Sequence, residues 1–182
     1  MAHVGKLAIP KRFITANNDK GEAIIDHSIP AEGDFAETAK GDASFFQPYV
    51  TNTFPVDLGN RADVTAYEGY RKSPPGLSVS TGTVLRYVDM PPGALSPMHK
   101  TISLDYGVVI EGSIELVLDS GETQLLERGD ICVQRATMHA WRNISQTEWA
   151  RMLYVLQPAT SSVPGEELSE DYGGMRGVAS SA

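Results

Sequence analysis

His99, Asp105 and His139 stand out for the chemistry they can do together. Two imidazoles and a carboxylate suit a divalent transition metal such as Fe, Zn, Mn, Ni or Cu, and as a facial triad they suggest non-haem iron. Without a metal the same three groups form an acid–base site, one histidine taking a proton and the other giving one. His99 and Asp105 are six residues apart, roughly 20 Å on a straight strand. They share a site only if the chain bends between Lys100 and Ser103, so that His99 ends one strand and Asp105 begins the next. His139 then arrives from a later strand. Asp105 has a second reading as a strand-starting residue bonded to nearby backbone amides.

Three further residues are candidates for binding a substrate. Arg86, on the strand before His99, is an anchor for a carboxylate or enolate if it faces inward; the sequence leaves its facing open. Tyr106 and Trp141 either pack in the core or line a cavity for an apolar ligand. Arg135 reads as a surface residue or as part of a rim. His3 and His27 lie outside this group. The lone cysteine, Cys132, sits in Ile131-Cys132-Val133 and reads as a small buried hydrophobe. Gly93, Gly112 and Gly129 are turn residues and not a phosphate loop, because no helix follows them.

The elements that must position these residues are short strands. Val84–Val88, Leu104–Ile110, Ser113–Leu118, Thr123–Leu126, Ile131–Gln134, Met138–Arg142 and Ala150–Gln157 are apolar or alternating runs divided by turns such as Glu111-Gly112 and Asp119-Ser120-Gly121. Such frequent turns without helical periodicity indicate an all-β sandwich or small barrel. In the last strand Met152, Tyr154 and Leu156 share one face. The barrel is expected over residues 61–158. Residues 1–60 form an N-terminal arm with short strands: Arg12–Thr15 and Ala23–Asp26 flank a turn, and Phe45–Val50 rejoins the domain, where such an arm covers a sheet edge. Residues 159–182, rich in Ser, Gly and acids, read as a flexible tail.

The 182-residue chain is long enough for one domain with a core. A net charge of −8 argues against nucleic acid and against an anionic membrane surface as partners. One cysteine makes no internal disulfide, which favours a reducing compartment. No apolar run has the length of a signal peptide or a membrane span. A cytoplasmic location is the expectation.

Two stretches resemble a known family. Gly93-x5-His99-x-Thr101-x3-Asp105-x6-Gly112 is similar to the first cupin motif, G-x5-H-x-H-x3,4-E-x6-G. Gly129 to Asn143 is similar to the second, G-x5-P-x-G-x2-H-x3-N. The resemblance spans about residues 80–157. It implies a single cupin β-barrel of jelly-roll type, carrying here an N-terminal extended arm, with a metal in the barrel mouth on three histidines and a glutamate. Of those ligands His99, Asp105 and His139 carry over. Thr101 replaces the second histidine and Asp105 is one methylene shorter than glutamate. In the second motif Arg135 replaces proline, Thr137 replaces glycine, and the spacing to His139 is one residue short.

The phrasing His-x-Thr-x-Ser-x-Asp-Tyr and Val-Gln-Arg-x-Thr-x-His-Ala-Trp further resembles small single-domain cupins found beside biosynthetic enzymes. Some of these are labelled cupin-domain oxidoreductases in pathways to polyketide-derived aromatics. The resemblance implies a small-molecule tailoring enzyme of secondary metabolism, an oxidoreductase or a lyase or isomerase. A metal on His99, Asp105 and His139 would polarise a carbonyl or enediol oxygen. A metal-independent acid–base enzyme and a non-catalytic binding module are the alternatives. A homodimer is expected, since two-fold closure is commonest.

Overall fold

The computed structural model describes residues 7–175 and 178–181; His3 lies outside them. The elements run β1 (Ile14–Asn17), β2 (Ala23–Asp26), β3 (Ala36–Glu37), β4 (Ser44–Val50), a 3-10 turn at Gly59–Arg61, α1 (Ala62–Lys72), β5 (Val84–Met90), β6 (Ser103–Glu111), β7 (Ile114–Leu118), β8 (Thr123–Leu126), β9 (Ile131–Arg135), β10 (His139–Asn143) and β11 (Ala150–Pro158). β1 and β2 form the expected hairpin, its turn held by Asn18 Oδ1, which accepts from the amides of Lys20 and Glu22. A six-stranded sheet has the order β3-β4-β5-β11-β6-β9, and a three-stranded sheet the order β10-β7-β8. The core draws on both sheets, through Val50, Val84, Val109 and Met152 from the larger and Ile114 and Trp141 from the smaller. The fold is all-β and jelly-roll in type. Among the described residues its two sheets share no continuous ladder, so the expected jelly-roll is seen without a closed barrel.

Alternation decides what faces the interior. On β6, Ser103, Asp105, Gly107 and Val109 are buried, and Tyr106 between them is exposed. On β11 the inward set is Met152, Tyr154 and Leu156, as the sequence pattern indicated. On β5, Val84 and Arg86 point in. β4 pairs with β5, so part of the N-terminal arm is a strand of the main sheet. The arm's start is tied down as well. Arg151 Nη1 donates to the Ala8 carbonyl at 2.9 Å, while its Nε and Nη2 fork onto Asp89, each at 2.6 Å.

Two features depart from the sequence expectations. α1 falls in a stretch that shows no helical signal. It is short, its preceding Arg61 has a left-handed backbone and gives no side-chain cap, and only Val64 and Tyr67 are buried. Tyr67 fastens it to β4 by donating to the Gln47 carbonyl at 2.7 Å. The second departure is the C-terminal segment, expected to be a loose tail. Asp171 pairs with Lys100 through both amides, at 2.6 and 2.9 Å. Ser78 Oγ donates to Ser181 Oγ at 2.9 Å, and Tyr172 and Val178 pack on the core. Composition hid this because two apolar side chains and a backbone bridge do the holding.

Candidate functional site

The chain leaving β5 turns and lies against β10. Asn143, fully buried, fixes this corner by donating to the carbonyls of Met90, Pro91 and Glu148. Ser96 Oγ accepts from the Trp141 amide at 2.9 Å. Two residues beyond Pro97, the amide of His99 donates to the His139 carbonyl at 2.8 Å, and the amide of His139 returns the bond at 2.9 Å. The two histidines are thus a hydrogen-bonded cross-strand pair, a position that puts both side chains on the same face. Their rings stand 4.3 Å apart, centroid to centroid.

Each ring is oriented by the backbone two residues before it. His99 Nδ1 lies 2.9 Å from the Pro97 carbonyl, and His139 Nδ1 lies 2.9 Å from the Thr137 carbonyl. A carbonyl only accepts, so both Nδ1 atoms carry the proton and both Nε2 atoms present a lone pair. Neither Nε2 has a hydrogen-bond partner among the described residues, and both rings line one cavity. Burial lowers the pKa of His99, against the pull of the Pro97 carbonyl. Burial, and then the neighbouring His99, push His139 down to about 3. At neutral pH the pair is two neutral bases. With the proton on Nδ1, neither ring has a proton on Nε2 to give at the cavity, which favours another group over a histidine as the acid.

Asp105 supplies one. It reaches the same cavity from β6 and is buried. Thr101 Oγ1 offers it only a long contact, 3.5 Å to Oδ2, and Oδ1 is buried with no partner. Burial raises its pKa to about 6, against the Ser103 hydroxyl, the Arg86 charge and the Thr101 hydroxyl. Arg86 points inward, which settles the facing that the sequence left open. Its Nη2 donates to the Gly76 carbonyl at 2.8 Å, its guanidinium lies over the Phe45 ring, and its Nε is buried without a partner.

His99, Asp105 and His139 thus border one cavity, but they do not form a ligand set. Among the described residues no three His, Cys, Asp or Glu side chains are grouped to hold a metal ion. His139 opens β10 of the smaller sheet with His99 bridged to it, Asp105 belongs to the larger sheet, and Thr101 stands at the position of the second motif histidine. The donor set does not fit the metal site that the motif implies.

The rest of the wall is largely apolar, with Thr38, Asp42 and Ser96 among its polar members. The ring of Trp141 meets His139 edge-on at 5.4 Å and Tyr154 at 5.7 Å. The cavity and the open solvent at its mouth together take up about 690 Å³. Trp141 lines it as expected. Tyr106 does not: it is 44% exposed on the outer face of β6, opposite Val133 of β9, because one position of register separates it from inward Asp105. Tyr154 belongs to the site and was missed as a site residue, although its place between Met152 and Leu156 marks it as inward. It fits because its cross-strand partner is Gly107, where a β-carbon would lie 2.9 Å from Tyr154 Cε1.

Comparison with known proteins agrees with this fold. The family model described as a cupin domain matches residues 86–156. A phomopsin biosynthesis cluster protein (C') of Diaporthe leptostromiformis is 45% identical over 174 residues, covering 95% of this chain and 89% of that protein. A cupin-domain-containing oxidoreductase of Neurospora crassa, srdD, is 38% identical, covering 80% of this chain and 73% of its own. The chain belongs to the cupin family. Among solved structures this cupin is similar to the cupin domain of Schizosaccharomyces pombe Cnp3, at 13% identity and a TM-score of 0.48, covering 84% of this chain and 90% of that one. Among the described residues of this cupin, no helix is long and apolar enough to cross a membrane.

Proposed function

We propose that this cupin is a tailoring enzyme of small-molecule biosynthesis that moves a proton next to a carbonyl, in a dehydration or an isomerisation. The single observation that carries this reading is the paired tautomer. Both imidazoles commit Nδ1 to a backbone carbonyl and turn an unprotonated Nε2 to the cavity. Nε2 of His99 takes the proton from carbon, with the neutral ring of His139, whose pKa is pushed down to about 3 and which is so the weaker base, packed beside it. Asp105, whose pKa of about 6 keeps a fraction protonated near neutrality, returns one to the leaving or accepting oxygen. The apolar wall of Trp141 and Tyr154 holds the body of the substrate and keeps water from the bases. The names of the relatives, a biosynthesis cluster protein and a cupin-domain-containing oxidoreductase, support an enzyme of this setting.

The test is to replace His99 and His139 with Gln, singly and together, and to follow product accumulation in the native pathway. Loss of product by about a hundredfold or more is expected. Full turnover by the double variant contradicts the reading and favours a binding module.

The Neurospora relative is a cupin-domain-containing oxidoreductase, which favours oxidation as a second reading. An assay under strict exclusion of oxygen and added electron acceptors separates the two: proton transfer continues and oxidation stops.

A further inference from the structure

Arg86 is a cation in the wrong place for a protein that binds nothing charged. It is 4% exposed, on the strand that faces the two histidines, and among the described residues it forms no ion pair. One carbonyl, that of Gly76, and the face of Phe45 are its recorded partners. A guanidinium has five N–H donors in a planar fork. Here the Nε donor is buried and unused. Tyr172 and Asp105 both lie close enough to feel its charge, and neither is paired with it in a salt bridge. A buried cation without a counter-ion is strongly disfavoured, so such a group is kept where an anion arrives to match it. The fork geometry selects a planar group with two oxygens.

We propose that Arg86 binds an oxyanion of the substrate, a carboxylate or the enolate of a 1,3-dicarbonyl, and so restricts the substrate to small, partly apolar organic acids of this kind. The cavity supports this division of labour. Arg86 stands on the larger sheet and His139 on the smaller one, with His99 bridged to it, and Trp141, Tyr154 and Leu156 line the same cavity. An acid held at Arg86 presents its apolar part to the aromatic wall and its reacting carbon to the Nε2 atoms. Only this last step rests on the proton-transfer reading. Arg86 also borders a second hollow beside Tyr67 and Phe46. Trp141 lines the histidine-side cavity and not that hollow, so its fluorescence reports binding on the relevant side.

The experiment titrates the full chain carrying Trp149→Phe with benzoate, with 1,3-cyclohexanedione ionised at neutral pH, and with neutral benzamide, following Trp141 emission. At least one oxyanion is expected to bind about tenfold or more tightly than benzamide. Preference for benzoate alone assigns a carboxylate, and preference for the dione alone assigns an enolate. Arg86→Gln is expected to remove the margin. Arg86→Lys, which keeps the charge without the fork, is expected to retain part of it, and it serves as the working variant if R86Q does not fold. Equal binding of benzamide and both anions overturns the proposal, as does an undiminished margin in R86Q. The two readings fail separately. If the margin is absent while H99Q still abolishes turnover, the substrate class falls and proton transfer stands. If the margin is present while the H99Q/H139Q double variant turns over fully, proton transfer falls and the oxyanion site stands.

Discussion

His99 and His139 are bonded to each other through their backbones and only adjacent through their rings. The amides exchange hydrogen bonds at 2.8 and 2.9 Å, the ring centroids lie 4.3 Å apart, and each Nδ1 is held by a carbonyl of its own strand. The ladder sets the spacing and the carbonyls set the tautomer. Neither ring depends on the other for its orientation, and both line the same cavity.

The buried acid and the buried base give opposite dependences of stability on pH. Asp105 has its folded pKa raised to about 6, so its contribution is fully present below the unfolded value and is lost as pH rises through about 6. His139 has its folded pKa depressed to about 3, so its contribution is present above the unfolded value and is lost as pH falls towards 3. Asp105→Asn, which cannot ionise, is expected to be more stable than the parent near pH 8 by on the order of 2 kcal/mol, and that advantage is expected to vanish near pH 4. His139→Gln is expected to gain on the parent as pH falls below about 6. Denaturant unfolding across this range checks both, and a pH-independent difference for either variant contradicts the assigned burial.

Gly107 is expected to be a control point for the cavity. A β-carbon there would sit 2.9 Å from Tyr154 Cε1, so Gly107→Ala forces the tyrosine ring toward Trp141 and into the ligand space. Overpacking of this kind destabilises by about 1–3 kcal/mol. Thermal unfolding should show that loss, and benzoate binding should weaken with it. Unchanged binding at reduced stability would place Tyr154 outside the ligand's reach.

The C-terminal segment is expected to depend on Gly173. Its φ is +58°, and a β-carbon there would lie 2.1 Å from the carbonyl of Met98, next to His99. Gly173→Val should lift the segment away while the two sheets persist. Hydrogen exchange reads this directly, because the amides of Lys100 and Asp171 bond across the junction. Both should lose protection in the variant, while the amides of β6 and β11 keep theirs.

The donor arrangement makes a prediction about metals. Protein purified without chelator is expected to carry less than about a tenth of an equivalent of transition metal and to keep its activity in chelator. A full equivalent, lost together with activity, would show that the ligand set implied by the motif does assemble.

Much of the site was legible in the chain because strands alternate and turns punctuate. The bend at Lys100–Ser103 followed from the distance between His99 and Asp105, and the inward set of β11 followed from its pattern. Tyr106 was misplaced because period two reverses a side chain's face with a single residue, and sequence alone did not fix the register of β6. The acid–base assignment needed coordinates, since Pro97 and Thr137 orient the imidazoles through backbone oxygens that carry no sequence signature. α1 and the C-terminal strap escaped for a related reason: a few aromatic contacts and backbone bridges hold them, and no periodic apolar face announces them.

The central claim is that His99 and His139 are both neutral, protonated on Nδ1, with Nε2 open to the cavity. Nitrogen-15 NMR of the four histidines tests it most directly, with the H99Q and H139Q variants assigning the signals. Near neutral pH both residues should show a protonated Nδ1 and an unprotonated Nε2, and His139 should hold that pattern down to about pH 5. An imidazolium pattern, or a proton on Nε2 of either ring near pH 7, would contradict it.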